Sequence, residues 1–229
     1  MKSTKRALCL ALAILVSLCL NIPAFASVPS MEENEVQPNA EFIKVCDQLF
    51  AGNGDVYDSS GTEITEVFVE KYYSFFQQAD YAAILQACFA DGVSEIHAHE
   101  YSGQAISSRA VLHPTYEESV VHLVRQDGFP YNGKEWYLIV TATGTYTYQD
   151  SYGGYIVDFP APTINISFSG LGVMFSGSVD SIRITTPIIN GKTASFSVTT
   201  VHSVGFTIEY LPGTLGPFTN ISNFTIEGL

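Results

Sequence analysis

The alternation that follows Asn190-Gly191 constrains this chain more than any other stretch. For seventeen residues Ala194, Phe196, Val198, Thr200, His202, Val204, Phe206, Ile208 and Tyr210 fall on one side, and Ser195, Ser197, Thr199, Val201, Ser203, Gly205, Thr207 and Glu209 on the other. A period of two is what a β-strand presents, because successive side chains point to opposite faces. Asn-Gly is the preferred two-residue hairpin turn, so Ile182–Ile189 is the expected antiparallel partner. Pro187 in that partner cannot donate to a ladder, which predicts a sheet edge.

The same period runs through most of the chain after Ser94. Trp136, Leu138, Val140, Ala142, Tyr146 and Tyr148 share one face of a predicted strand, and Tyr137, Ile139, Thr141, Thr143, Thr145 and Thr147 the other. Gly144 is expected to mark a bulge or bend. Ile164, Ile166 and Phe168 alternate with Thr163, Asn165 and Ser167, and Gly153-Gly154 reads as a turn. Thr115–Gln126 holds a capping-box pattern at Thr115 and Glu118, but Val120, Val121 and Val124 favour a strand. Leu211–Pro217 reads as a Pro/Gly loop, Phe175–Ser178 as turn-like, and Asn220–Glu227 as a last strand.

Before Ser94 the period is helical. Asn39 caps a run in which Phe42, Val45, Cys46, Leu49 and Phe50 recur at helical spacing until Gly52. Glu66–Gln78 has so little polar face that a largely buried helix is expected. Asp80 caps a third helix with the stripe Tyr81, Ile84, Leu85, Cys88 and Phe89, ended by Gly92. Between the first two, Gly54–Thr65 reads as an Asx-type turn or short hairpin, its acids being wrongly spaced for a calcium loop. The run from Tyr72 through Asp80 to Phe89-Ala-Asp-Gly resembles the helical start of cone-shaped α+β domains of the nuclear-transport-factor type, over fewer than thirty residues and without a catalytic signature. The fold class expected is α+β, with N-terminal helices packed against a mainly antiparallel β-sandwich.

The first 26 residues set the compartment. Lys2, Lys5 and Arg6 precede an apolar run from Ala7 to Leu20, and Ala24-Phe25-Ala26 supplies small residues for cleavage before Ser27. That pattern is a secretory signal peptide. Residues 27–38 read as a flexible acidic leader, 39–92 as a helical subdomain and 93–229 as an antiparallel β domain. With the signal removed, seven basic residues face 23 acidic ones, a net charge of −16. Such a surface repels phosphate backbones, so nucleic acid is not an expected partner. Cys46 and Cys88 remain in an exported chain, where they either pair or stay as small buried hydrophobes.

Few residues suggest chemistry. No Gly-x-Ser-x-Gly elbow or phosphate-cradling loop is present, and neither remaining cysteine has an evident histidine partner. Glu95-Ile-His97-Ala-His99 places two imidazoles on one strand face, half of a zinc site. With His122, followed by Leu123 and Val124, and with Thr185-Thr186-Pro187, the spacing is similar to that of α-carbonic anhydrases, which implies a zinc-dependent enzyme using His97, His99 and His122. Arg109 stands where that family places a threonine-orienting glutamate and cannot accept the hydrogen bond.

Tyr146, Tyr148, Tyr152 and Tyr155 cluster around one expected turn, where rings can stack on sugars or anchor a protein contact. The Ser/Thr-rich hairpin after Asn190 also suits insertion into a membrane as part of an oligomeric barrel. The leading expectation is a secreted, non-enzymatic β-rich module that binds an extracellular protein or glycan through those tyrosines, or contributes to an envelope assembly, with no cofactor and no metal. A membrane-active or pore-forming protein comes second and the zinc enzyme third.

Overall fold

A computed structural model of the chain describes residues 36–102, 111–126, 134–150, 154–170, 175–208 and 211–228. The signal segment, most of the leader, Arg109, Tyr152 and Gly153 lie outside them. Residues Val36–Leu229 make one compact unit.

The helices form where capping and apolar spacing dictate. Helix α1 (Ala40–Phe50) starts at Asn39, whose side chain accepts from the Phe42 N–H at 2.8 Å, and buries Phe42, Val45, Cys46 and Leu49. Strand β1 (Gly54–Asp58) ends in the expected Asx turn, where Asp58 Oδ1 accepts from the N–H groups of Ser60 and Thr62. The expected helix over Glu66–Gln78 is instead two short ones, α2 (Thr65–Lys71) and α3 (Tyr73–Gln78), meeting at Tyr72. Nor is it largely buried. Phe68 and Phe76 face inward while Val67 and Tyr73 are exposed, because these helices lie on the surface and cover the core with one side only. Helix α4 (Tyr81–Ala90) is capped by Asp80, which accepts from the Ala83 N–H.

Two sheets follow the helices. The larger has the order β1-β2-β4-β5-β8, with β2 Val93–Ser102, β4 Thr115–Gln126, β5 Lys134–Thr145 and β8 Thr163–Ser169, all pairs antiparallel. Strands β4 and β5 are buried on both faces, which explains why Trp-Tyr-Leu-Ile-Val in β5 lacks polar alternation. Ile96, Ala98, Val121, Leu123, Tyr137 and Ile139 pack against the helices. Tyr116, Val120, Leu138, Val140 and Ala142 face the other way, onto the second sheet.

That second sheet is built on the long hairpin. Strand β11 (Thr193–Ile208) pairs along its length with β12 (Leu211–Glu227). Its other side carries β9 (Phe175–Ile184) and then β10 (Ile188–Asn190), so the expected strand Ile182–Ile189 is broken at residues 185–187, while Pro187 does fall on the sheet edge as expected. Ala194, Phe196, Val198, Phe224 and Ile226 form the inner face, with Phe196 stacked on Phe224 at 5.0 Å. A small sheet of β3 (Val111–Leu112), β6 (Thr147–Gln149) and β7 (Tyr155–Asp158) completes the architecture. The layers are helices, central sheet and outer sheet, the α+β sandwich expected.

Several local expectations are corrected. Leu211–Pro217 is not a loop but the first part of β12, where an edge strand tolerates Pro212 and Pro217. Phe175–Ser178 is strand, paired with β11. No register shift falls at Gly144; a Cβ there would lie 2.8 Å from the Tyr116 hydroxyl, so the glycine serves a close approach. The end of the leader is held: Tyr137 and Ser169 donate to the Gln37 carbonyl, and Val36 packs against the helix-side core. Cys46 and Cys88 are buried free thiols in that core, and burial pushes both above their ordinary range.

Candidate functional site

Strand alternation puts Glu95, His97 and His99 on the face of β2 that looks towards the second sheet. The register then sets His122 of β4 directly opposite Glu95. The carboxylate uses both oxygens: Oε2 meets His97 Nε2 and Oε1 meets His122 Nδ1, each at 3.2 Å. Strand β12 brings Ser222, whose Oγ lies 2.7 Å from His122 Nε2. His122 Nδ1 donates to the Glu95 carboxylate, and Nε2 shares the remaining hydrogen bond with the serine hydroxyl. Hydrogen bonds from His122 and then His97 hold the Glu95 carboxyl down at about 2.

The order serine, imidazole, carboxylate matches that of acyl-transfer relays. Here, however, Ser222 is 1 % exposed and His122 is equally enclosed between the sheets. An acyl group cannot reach that hydroxyl in this conformation, and the chain of bonds acts as a tie between β2, β4 and β12. His99 stays apart, its ring beside Tyr101 at 5.4 Å. Thus the three histidines share a face without sharing a centre. Among the described residues no three His, Cys, Asp or Glu side chains are grouped to hold a metal ion. Thr185 sits in the break between β9 and β10 and bonds to Ser197.

A second tie lies further along β4. Glu118 is buried, accepts from the Tyr101 hydroxyl at 2.5 Å, and also receives the Thr225 backbone N–H of β12. Burial pushes its carboxyl up to about 7 against the pull of those two donors. His202 is fully buried between Phe168 and Phe218, and burial lowers it from the usual imidazole range.

The tyrosine cluster is dispersed. Tyr146 and Tyr148 belong to the inter-sheet core, the former donating to the Glu227 carbonyl, so neither ring is offered to an outside ligand. Among the described members Tyr155 is the exposed one, bonded to Gln149. Ala194, Phe196, Val198, Phe224 and Ile226 on the inner face of β11 and β12 are likewise occupied by packing against the central sheet.

What is open is the far edge of the second sheet. Strand β9 pairs with β11 on one side and with no other described strand. Val179, Ile182, Ile184, Ile188 and Ile189, on β9 and β10, are 38 to 69 % exposed. Through their pairing with His202, Thr200 and Val198, the first three fall on the inner-face side of the sheet, yet they stay open to solvent. The sequence held the signal for this edge in Pro187 and in the aliphatic spacing. Ser222 and Glu118 were legible only as polar residues on otherwise apolar strand faces.

No protein-family model, no curated protein and no solved structure matches this chain.

Proposed function

We propose that this protein is a secreted, non-enzymatic β-rich module that works by binding a partner outside the cell or by joining an envelope assembly. The observation that carries the reading is the open β9–β10 edge, where exposed Val179, Ile182, Ile184 and Ile189 share the inner-face side of the sheet. Apolar surface gathered in one place on a soluble fold marks interaction sites. An open strand edge adds unpaired backbone donors and acceptors that accept another strand. Those two features favour a protein partner over a glycan, which would call for exposed aromatic rings and finds only Tyr155 among the described tyrosines of the cluster. The net charge of −16 after signal removal argues against nucleic acid.

Two measurements test it. The protein recovered from the medium of its native host should begin at Ser27; recovery with Met1 intact, inside the cell, would refute export. A photo-crosslinking residue at Ile184 should then yield a defined covalent adduct, while the same residue at Glu66, on a distant helix, should not. Absence of any adduct specific to Ile184 would refute the edge as a binding surface.

A further inference from the structure

We infer that the partner fitting this edge is a second copy of the chain, with β9 paired antiparallel to β9 about a two-fold axis at Ile182. The inference rests on the reading of the edge as a binding surface. Its ground is self-complementarity, the property an isologous interface requires.

The β9–β11 register shows why. Ile184, Ile182 and Val179 pair with Val198, Thr200 and His202, which are inner-face residues; Arg183 and Ser181 pair with Thr199 and Val201, on the outer face. The register shifts between Val201 and His202, so Asp180 is an extra residue in β9, a bulge. Asp180 Oδ2 accepts from Ser203 Oγ at 2.5 Å, which places the carboxylate on the outer face as well. Outer-face Arg183 is exposed and, among the described residues, has no ion-pair partner.

Now set two such edges antiparallel with Ile182 opposite Ile182. Arg183 then stands opposite the second copy's Ser181, with the second copy's Asp180 the next outer-face residue along. Diagonal neighbours of this kind are about 7 to 8 Å apart, within reach of an arginine. Because the second copy's Asp180 is the extra residue, Ile184 falls opposite Val179 and not opposite a charge. The inner-face side becomes a continuous strip of six aliphatic side chains, three from each copy. The outer side carries two Arg–Asp pairs related by the axis. A bulge and a lone charge normally protect an edge from chance pairing. Here they exclude a generic strand and accept one carrying the same bulge and the same charges, which is the chain itself.

Sedimentation velocity of the purified protein should show reversible, concentration-dependent dimers. Asp180→Arg and Arg183→Asp should each weaken self-association by about tenfold or more, since each creates a like-charge pair at the joint. An equimolar mixture of the two variants should recover it, because one chain then carries both cations and the other both anions. Ile182→Cys, treated with diamide, should form a covalent dimer across the axis, while Ile188→Cys, more exposed but off the axis, should not. Cys46 and Cys88 are buried and do not compete. Equal yields from Ile182→Cys and Ile188→Cys, or charge variants that dimerise as the wild type does, would overturn this pairing. A protein monomeric into the millimolar range would also overturn it; if the Ile184 crosslinker still captured a different protein, the binding-surface reading would stand and only the second copy would fall.

Discussion

Glu118 makes the folded protein sensitive to pH in a defined window. It is 8 % exposed and holds together β2, β4 and β12 through Tyr101 and the Thr225 N–H. Its carboxyl lies at about 7 in the fold against an ordinary value of 4.5. Below pH 4.5 both folded and unfolded chains are protonated at this site, and it makes no pH-dependent difference. Between 4.5 and 7 the folded chain keeps a proton that the unfolded chain has released, so stability falls as pH rises. The proton held in the fold is worth about 3 kcal/mol, lost in full above pH 7. Glu118→Gln removes the titration while keeping an oxygen for Tyr101 and Thr225. Urea unfolding from pH 4 to 8 should therefore give curves that coincide near pH 4 and separate with rising pH, the variant ending about 3 kcal/mol more stable than the wild type at pH 8. His202 acts in the opposite sense: its folded value is depressed, so its contribution is lost as pH falls below 6.5. It is common to both proteins and cancels in the difference. If the difference between variant and wild type stayed constant from pH 4 to 8, the account of Glu118 would be refuted.

Three further predictions address the rest of the fold. Glu95 is held low, so its contribution is present above pH 4.5 and lost as pH falls towards 2; because solvent screens this partly exposed carboxylate, Glu95→Gln should cost only about 1 to 2 kcal/mol at pH 7 and nothing measurable near pH 2 by the same urea assay. Ser222→Ala leaves the buried His122 Nε2 without its hydrogen-bond partner and should destabilise by about 1 to 3 kcal/mol at neutral pH, with an unchanged stability pointing to a partner other than the serine. The buried thiols of Cys46 and Cys88 should resist a thiol reagent in the native protein and both react once it is unfolded without reductant; no reaction after unfolding would reveal a disulfide.

Periodicity carried most of the architecture. Asn39 and Asp80 cap the helices they precede, and the Asn190-Gly191 turn joins the strands it should. The errors share a physical cause. Leu211–Pro217 looked like a loop because proline and glycine are poor in a central strand, yet β12 lies at an edge, where a proline's missing N–H can face the unpaired side and leave the ladder to β11 intact. Glu66–Gln78 looked like one buried helix because composition counts apolar residues and not what stands opposite them; Val67 and Tyr73 lie on the exposed side of these helices. Tyr146 and Tyr148 looked available because strand tyrosines are chemically the same whether buried or exposed, and only packing of the second sheet encloses them.

The sequence by itself determined the strand and helix periods, the caps, the hairpin turn, the edge position of Pro187 and the common strand face of Glu95, His97 and His99, all consequences of local geometry within a few residues. Tertiary structure alone decided that His122 stands opposite Glu95, that Ser222 arrives from a strand a hundred residues on, and that Glu118 is shut between sheets. It also decided that Val179, Ile182 and Ile184 stay uncovered. Register and layer stacking set these outcomes, because strand pairing and face-to-face packing join residues whose separation along the chain leaves no mark in the local pattern.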